Sequence, residues 1–151
     1  MKKNTQKIKA NTMGFYALRG RSVQEFTIDS KTERFLEFLE KIREENSEYK
    51  AVIVVLDNFP THRSKRVKER AEEIGIYLVY LPPYSPDLNP IEFIWKSIKR
   101  IISLSFVRHL EELKQIINDA FAALSQRLSF ARAWVKKFLI KITPYYEKLC
   151  V

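Results

Sequence analysis

Cysteine is nearly absent from this chain: among 151 residues only Cys150 carries a thiol, one position from the last residue. A disulfide framework within one chain and a cysteine-based zinc site are both excluded, and a reducing compartment suits the composition. Long apolar runs are missing too. No stretch approaches the ~18 apolar residues that a membrane-spanning helix needs, and the first residues lack the apolar centre of a secretory signal. Internal repeats, low-complexity tracts and composition shifts are also absent, so a single domain over 1–151 in a cytoplasmic setting is expected.

What is there describes a folded, basic protein. Hydrophobic residues make up 46% and charged residues 30%, which excludes a disordered chain. The formal net charge of +9 favours a polyanionic partner such as nucleic acid, although many basic proteins bind none. Residues 1–11 are Lys-rich and polar and read as a basic surface arm.

Periodicity gives the order of elements. Thr12 to Leu18 and Val23 to Ile28 read as two strands of a hairpin around Arg19-Gly20-Arg21. Asp29 or Ser30 can cap a helix whose stripe is Phe35, Phe38, Leu39 and Ile42, ending near Glu45. Ala51 to Leu56 is a valine-rich run, the pattern of a strand covered on both faces. A helix over Arg63 to Ile74 ends at Gly75, and Ile76 to Leu81 is a second buried-type strand. Strand, helix, strand, helix implies a parallel pair with a crossover. The remainder is helical, with one stripe from Leu110 to Leu124 and another through Phe130, Trp134 and Phe138, ending at Pro144.

Chemistry concentrates at two places. Asp57-Asn58 closes the valine-rich strand, and functional side chains in open α/β sheets gather at the carboxyl ends of parallel strands. Glu92 follows the loop Leu81-Pro82-Pro83-Tyr84-Ser85-Pro86-Asp87-Leu88-Asn89-Pro90. Asn89 suits a helix N-cap, Pro90 the first helical position, and apolar residues at 91, 94, 95, 98, 101 and 102 form the packed stripe. Converging carboxylates beside a basic surface suit Mg²⁺ or Mn²⁺. The same residues also fit plainer roles: Asp57-Asn58 as a strand-end turn, and Asn89-x-x-Glu92 as a capping box in which the acid bonds back to the backbone.

Leu56-Asp57-Asn58 with His62, then Pro82-Pro83-Tyr84-Ser85-Pro86-Asp87-Leu88-Asn89-Pro90-Ile91-Glu92 and Trp95-Lys96, resemble the DDE transposases of the mariner-like insertion-sequence group. The 34 residues between Asp57 and Glu92 match the kind of spacing between the second and third catalytic acids of that group. The resemblance runs from about Thr12 to Phe121 and is most specific from Asp57 to Lys99. It implies a ribonuclease-H-like mixed sheet flanked by helices, two divalent ions (Mg²⁺ or Mn²⁺), and cleavage and strand transfer at transposon ends. Carried over, Asp57 and Glu92 are catalytic acids and metal ligands, with Asn58 and His62 as accessory candidates. Lys96, Lys99, Arg100, Tyr84, Arg19 and Arg21 are candidate DNA contacts. Trp95 reads as core, and His109, without an acidic partner in register, receives no site role.

The departure concerns the first acid. In the family it lies on the first, central strand of the sheet, upstream of the hairpin. Here only Met1 to Asn11 precedes the hairpin, without Asp, Glu or an apolar run. Losing that strand would leave its neighbours' backbone groups unpaired. The helix-turn-helix customary upstream is missing as well. The expectation is the C-terminal part of a split or truncated transposase, completed by an N-terminal companion that supplies the first Asp and a helix-turn-helix, and working as a homodimer on DNA. The alternatives are a catalytically inactive DNA-binding remnant and a ribonuclease-H-like nuclease without strand transfer.

Overall fold

A computed structural model describes residues 7–137; Phe138, Pro144 and Cys150 lie outside this range. Two strands, β1 (Asn11–Phe15) and β2 (Val23–Thr27), pair antiparallel from Asn11 opposite Thr27 to Phe15 opposite Val23. Helix α1 (Thr32–Glu45) follows, then β3 (Val52–Leu56), a short 3₁₀ turn over Pro60–Arg63, α2 (Lys65–Ile74) and β4 (Ile76–Tyr80). A second 3₁₀ turn at Pro86–Leu88 leads into α3 (Ile91–Ser103) and α4 (Leu110–Ser125), and a further helical stretch occupies 129–137.

Strands β3 and β4 are parallel, Val52 opposite Ile76 and Leu56 opposite Tyr80, with α2 as the crossover. The expected mixed sheet is therefore present as two separate two-stranded sheets, β1-β2 and β3-β4. The division falls where the resemblance puts the absent first strand, because no described strand joins β1 to β3.

Apolar packing fills two clusters. Phe35, Phe38, Leu39 and Ile42 of α1 meet Val52, Val54 and Leu56 of β3 and Val67 and Ala71 of α2. Ile91, Ile94 and Ile98 of α3 meet Leu113, Ile117 and Phe121 of α4, with Tyr16, Phe26 and Trp95 packed alongside. Ile8 and Ala10, read from sequence as part of the arm, also pack on this second cluster.

Several local expectations change. The β3-β4 sheet is covered on one face only: alternate residues Ile53, Tyr77 and Val79 are 66%, 65% and 48% exposed, so the continuous apolar run does not mean two covered faces. The N-cap of α1 is Lys31, held by a bond from its amide to Asp29 Oδ1 (3.0 Å), so Asp29 shapes the entry turn without being the cap. Helix α2 begins at Lys65, because Ser64 caps it by accepting from the Val67 amide (3.3 Å). His109 does have an acidic neighbour: its Nδ1 accepts from the Glu112 amide (3.4 Å) and its Nε2 lies 3.5 Å from Glu112 Oε1, capping α4.

One polar side chain joins the hairpin to α1. Asn46 is 2% exposed and accepts from the Arg21 amide through Oδ1 (2.7 Å). Its Nδ2 donates to the carbonyls of Arg21 (3.1 Å) and Ile42 (3.0 Å). The turn beside it needs Gly20, whose φ of +85° and contact with Asn46 leave no room for a Cβ. Arg43 fixes the next segment by donating to the carbonyls of Ile74 (2.8 Å) and Tyr49 (2.9 Å). The hairpin tip, the end of α1 and the start of β3 thus meet at one end of the molecule.

Candidate active site

The opposite end of β3 carries Asp57. Its Oδ1 accepts from the Phe59 amide (3.2 Å), forming the strand-end turn, and lies 2.7 Å from His62 Nδ1. That second contact has ion-pair distance but not the alignment of a hydrogen bond. The imidazole is held by Phe35 (ring centroids 4.1 Å apart) and Phe59 (5.6 Å), and Tyr80 donates its hydroxyl to the His62 carbonyl (2.6 Å). One carboxylate oxygen of Asp57 is therefore used locally, while Oδ2 makes no hydrogen bond or ion pair among the described residues. The turn role and a ligand role coexist in this side chain, which is 60% exposed.

Glu92 enters from the other side. Pro90 has helical dihedrals (φ −62°, ψ −26°), Asn89 is extended, and the Asn89 carbonyl accepts from the Glu92 amide (3.0 Å). The helix begins at Ile91 with Pro90 as its N-cap, one position later than the sequence indicates, so Asn89 is not the cap. The capping box is also excluded, because the Asn89 amide donates to the Pro86 carbonyl (3.1 Å), not to Glu92. The Glu92 carboxyl is left facing the cleft.

Its surroundings hold its pKa above the ordinary carboxylate value. Burial is the main cause, the nearby charge of Asp57 adds to it, and Lys99 opposes both. Solvent reaches Glu92 along the cleft, yet the loop walls strip enough water to disfavour its charge. Repulsion between two carboxylates is the electrostatic signature of a place that accepts a cation.

A cavity of about 450 Å³ lies over this pair, lined by Asp57, Asn58, Arg63, Tyr84, Asn89 and Glu92 among others. Tyr84 stands at its mouth, 103% exposed, with a left-handed backbone (φ 56°) uncommon for a residue bearing a side chain. Lys96, Lys99 and Arg100 are exposed on α3, Lys99 close enough to influence Glu92. Arg19 and Arg21 are exposed too, but at the hairpin tip near the start of β3, with Arg21 3.9 Å from Glu45. A five-residue strand of roughly 17 Å separates that tip from Asp57, so these arginines stand apart from the acids, although Arg19 lines the same cavity between the sheets as Asp57 and Glu92.

Two residues of this region were missed in the sequence. Arg63 lines the acid cavity and was legible only as one cation in a basic run. Trp134, legible in the sequence only as part of a helical stripe, donates from its indole Nε1 to the Leu88 carbonyl and so braces the Pro-rich loop. No local pattern signals that contact across 46 positions. Among the described residues no group of three or more His, Cys, Asp or Glu side chains is gathered as a metal site, so Asp57 and Glu92 stand as a pair. No described helix is long and apolar enough to cross a membrane.

A family model for the DDE superfamily endonucleases matches residues 1–114, about three quarters of the chain. The chain belongs to the DDE superfamily of endonucleases. This DDE chain is 41% identical over 51 residues to the transposable element Tcb2 transposase of Caenorhabditis briggsae, and 41% identical over 44 residues to the Tc1 transposase of Caenorhabditis elegans. Those stretches cover 34% and 29% of this chain but only 19% and 16% of the relatives. The DDE chain thus aligns with less than a fifth of the curated transposases' own length. Its fold is similar to the Mos1 transposase catalytic domain solved with raltegravir and Mn (TM-score 0.61, 18% identity, 76% of this chain and 68% of that one). The Mos1 strand transfer complex matches with TM-score 0.62 at 20% identity, over 74% of this chain and 35% of that one. These likenesses establish the ribonuclease-H-like α/β fold.

Proposed function

We propose that this chain is the C-terminal part of the catalytic domain of a mariner-like DNA transposase, acting in phosphodiester cleavage and strand transfer at transposon ends. The observation that carries this reading is the convergence of Asp57 and Glu92 on one cavity, where burial and then the charge of Asp57 disfavour the ionised form of Glu92. Family membership and the relatives named as transposases support it.

The donor set fits a hard divalent cation. Two carboxylates, one exposed and the other destabilised by burial and then by its neighbour, offer oxygen ligands beside an open cavity. Asp57 and Glu92 would hold Mg²⁺ or Mn²⁺, as the Mos1 domain does in structures described with Mn or Mg. When bound, such ions make the attacking oxygen more nucleophilic and stabilise the leaving one. The chain's own residues do the rest. His62, fixed between two phenyl rings, holds Asp57 in place, and Asn58 adds a polar group to the same wall. Arg63, Lys96, Lys99 and Arg100 neutralise DNA phosphates around Glu92, and Tyr84 offers an aromatic face at the cavity mouth. Arg19 and Arg21, exposed at the hairpin tip, contact DNA away from the acids.

Two acids are one short of the triad. A companion supplies the first Asp and a helix-turn-helix, and two copies act together at paired transposon ends. With only this pair of acids, the isolated chain as a DNA-binding remnant is the second reading.

The experiment adds an upstream strand bearing an acid, fused or in trans, and follows nicking and joining of labelled end DNA with Mn²⁺. Cleavage that falls at least ~10²-fold in both Asp57→Asn and Glu92→Gln supports the proposal. Joined product separates a transposase from a hydrolytic nuclease. DNA binding with no cleavage in any completed form sinks the proposal and leaves the remnant. Efficient cleavage by the chain alone would refute the need for a companion.

A further inference from the structure

Past α4 the chain turns back onto the loop that delivers Glu92. The turn is fixed at Arg127, whose amide donates to the Leu124 carbonyl (3.0 Å) and whose carbonyl accepts from the Tyr16 hydroxyl. Phe130, Ala131, Trp134 and Lys137 then fall at i, i+1, i+4 and i+7, on one face of the helical stretch 129–137. Phe130 packs on the α3-α4 cluster and Ala131 is buried, so the base of this face is anchored in the core. Its far end touches the start of α3 twice. Trp134 donates from its indole to the Leu88 carbonyl, and the Lys137 ammonium lies 5.7 Å from the centre of the Phe93 ring. Trp134 also lines the cavity between the two sheets, beside Asn89, Pro90, Ile91 and Glu92. All of this lies beyond residues 1–114, which the family model matches, so family membership assigns it no role.

The loop needs such a holder because its own sequence supplies few donors. Pro82, Pro83, Pro86 and Pro90 have no amide hydrogen, so no regular ladder can form along it. Its start is tied to β3 by the bond from the Leu81 amide to the Leu56 carbonyl (2.8 Å). Near its end, the Leu88 and Asn89 amides donate back to the Ser85 and Pro86 carbonyls (3.1 Å each). The Leu88 carbonyl has no such local donor two positions on, where Pro90 stands, and the Glu92 amide is already bonded to Asn89 (3.0 Å). The indole of Trp134 fills that place. Tyr84, with its left-handed backbone, shows that the surroundings impose the loop's shape, since such residues persist only where their neighbours over-determine them. Leu88 and Phe93 bracket the entry of α3, so whatever holds both sets the direction in which that helix begins. Glu92 lies between them.

We infer that Trp134 is a positioning residue for the acid pair: through Leu88 it sets the entry of α3, and with it the place of the Glu92 carboxylate opposite Asp57 and the pair's affinity for a divalent cation. Lys137, over Phe93, steadies the same turn from one helical turn further along. The sensitivity comes from the ion. Mg²⁺ accepts oxygen ligands only near about 2.0–2.1 Å and in near-octahedral directions, so a small tilt of the first turn of α3 takes Glu92 out of reach of an ion held by Asp57. Residues that orient a ligand without touching the metal typically change its affinity by about 10–100-fold. The inference deepens the function proposed above, and rests on that reading for the claim that the two acids share a cation.

The test uses the full chain, Mn²⁺ titration followed by water-proton relaxation, and hydrogen exchange followed by nuclear magnetic resonance. Trp134→Phe keeps an aromatic ring and removes the N–H; Mn²⁺ affinity should fall at least ~tenfold with an unchanged circular dichroism spectrum. Exchange at the Glu92 and Phe93 amides, bonded to the Asn89 and Pro90 carbonyls, should quicken at least ~tenfold, while that at Leu113 in α4 stays as it was. If Trp134→Phe does not fold, the benzothienyl analogue of tryptophan at this position, with sulfur in place of N–H, makes the same test on an almost unchanged shape. The wild type gives a further readout. Coupling between two sites is reciprocal, so saturating Mg²⁺ should slow exchange of the Trp134 indole proton by the factor that Trp134→Phe costs in affinity, which a merely structural brace would not show. Unchanged Mn²⁺ affinity in a folded variant, beside a loss in Asp57→Asn, overturns the inference and leaves the transposase reading standing; so does an indole proton indifferent to Mg²⁺. Equal affinity in wild type and Asp57→Asn counts against the transposase reading instead, and exchange at Glu92 and Phe93 then decides alone whether Trp134 sets the start of α3.

Discussion

Asn46 offers a quantitative test of how the hairpin is fixed to α1. It is buried at the C-cap of α1 and makes three hydrogen bonds, two of them to the backbone of Arg21 at the hairpin tip. Asn46→Ala deletes all three and leaves the Arg21 amide and carbonyl and the Ile42 carbonyl without this partner. Each net hydrogen bond is worth about 1 kcal/mol and an orphaned buried group costs about 1–3 kcal/mol, but the Arg21 groups are only part-buried and water recovers some of the loss. The expected destabilisation is about 2–4 kcal/mol, a large share of the 5–15 kcal/mol typical of a domain. Urea denaturation followed by circular dichroism measures it, with an unchanged m-value showing that the same surface unfolds. Asn46→Asp should be no milder at neutral pH, since it turns a donor toward two carbonyls into an acceptor. A loss below about 0.5 kcal/mol in Asn46→Ala would refute the claim that this side chain fixes the hairpin to α1.

Three further outcomes follow from the same structure. A Cβ on Gly14 would come within 2.4 Å of Trp95 Cζ2 and 3.0 Å of Ile91 Cδ1, so Gly14→Ala should cost about 1–3 kcal/mol in denaturant melts and shift tryptophan fluorescence; an unchanged melt would contradict the packing of α3 on β1. The raised pKa of Glu92 means that the folded state keeps a proton the unfolded state releases, so this group's contribution is complete below the ordinary carboxylate range and lost as pH rises through its folded value. Glu92→Gln should therefore flatten the decline of Tm as pH rises from about 4 toward neutrality, and an identical decline in both proteins would remove the case for a desolvated acid. If Lys96, Lys99 and Arg100 touch phosphates, replacing each by Ala should lower the slope of log binding against log salt by roughly 0.9 on duplex DNA, whereas unchanged slopes would make them solvated cations only.

Much of this was readable in the sequence because it is local. The apolar spacing of α1 and α3, the Gly75 stop and the Pro-rich approach to Glu92 each depend on residues within a turn or two, and the structure places them as the spacing indicates. What escaped depends on partners distant in the chain. Asn46 looks like any polar helix end until Arg21 is beside it, and Trp134 looks like core until Leu88 is beneath its indole. The valine-rich β3 misled in a different way. Its apolar run matches a strand covered on both faces, but one of its edges borders the cavity between the two sheets and one of its faces is open. The pairing of Asp57 with Glu92 was suggested by a motif; the raised pKa of Glu92, from burial and then from Asp57, could be seen only once α3 and β3 met at one cavity.

The central claim is that Asp57 and Glu92 together hold a divalent cation, and Mn²⁺ titration of the purified chain tests it most directly. Water-proton relaxation enhancement should report one weak site in the wild type, weakened at least ~tenfold in Asp57→Asn and in Glu92→Gln and retained in Asp87→Asn. Equal Mn²⁺ affinity in all four proteins would contradict the account.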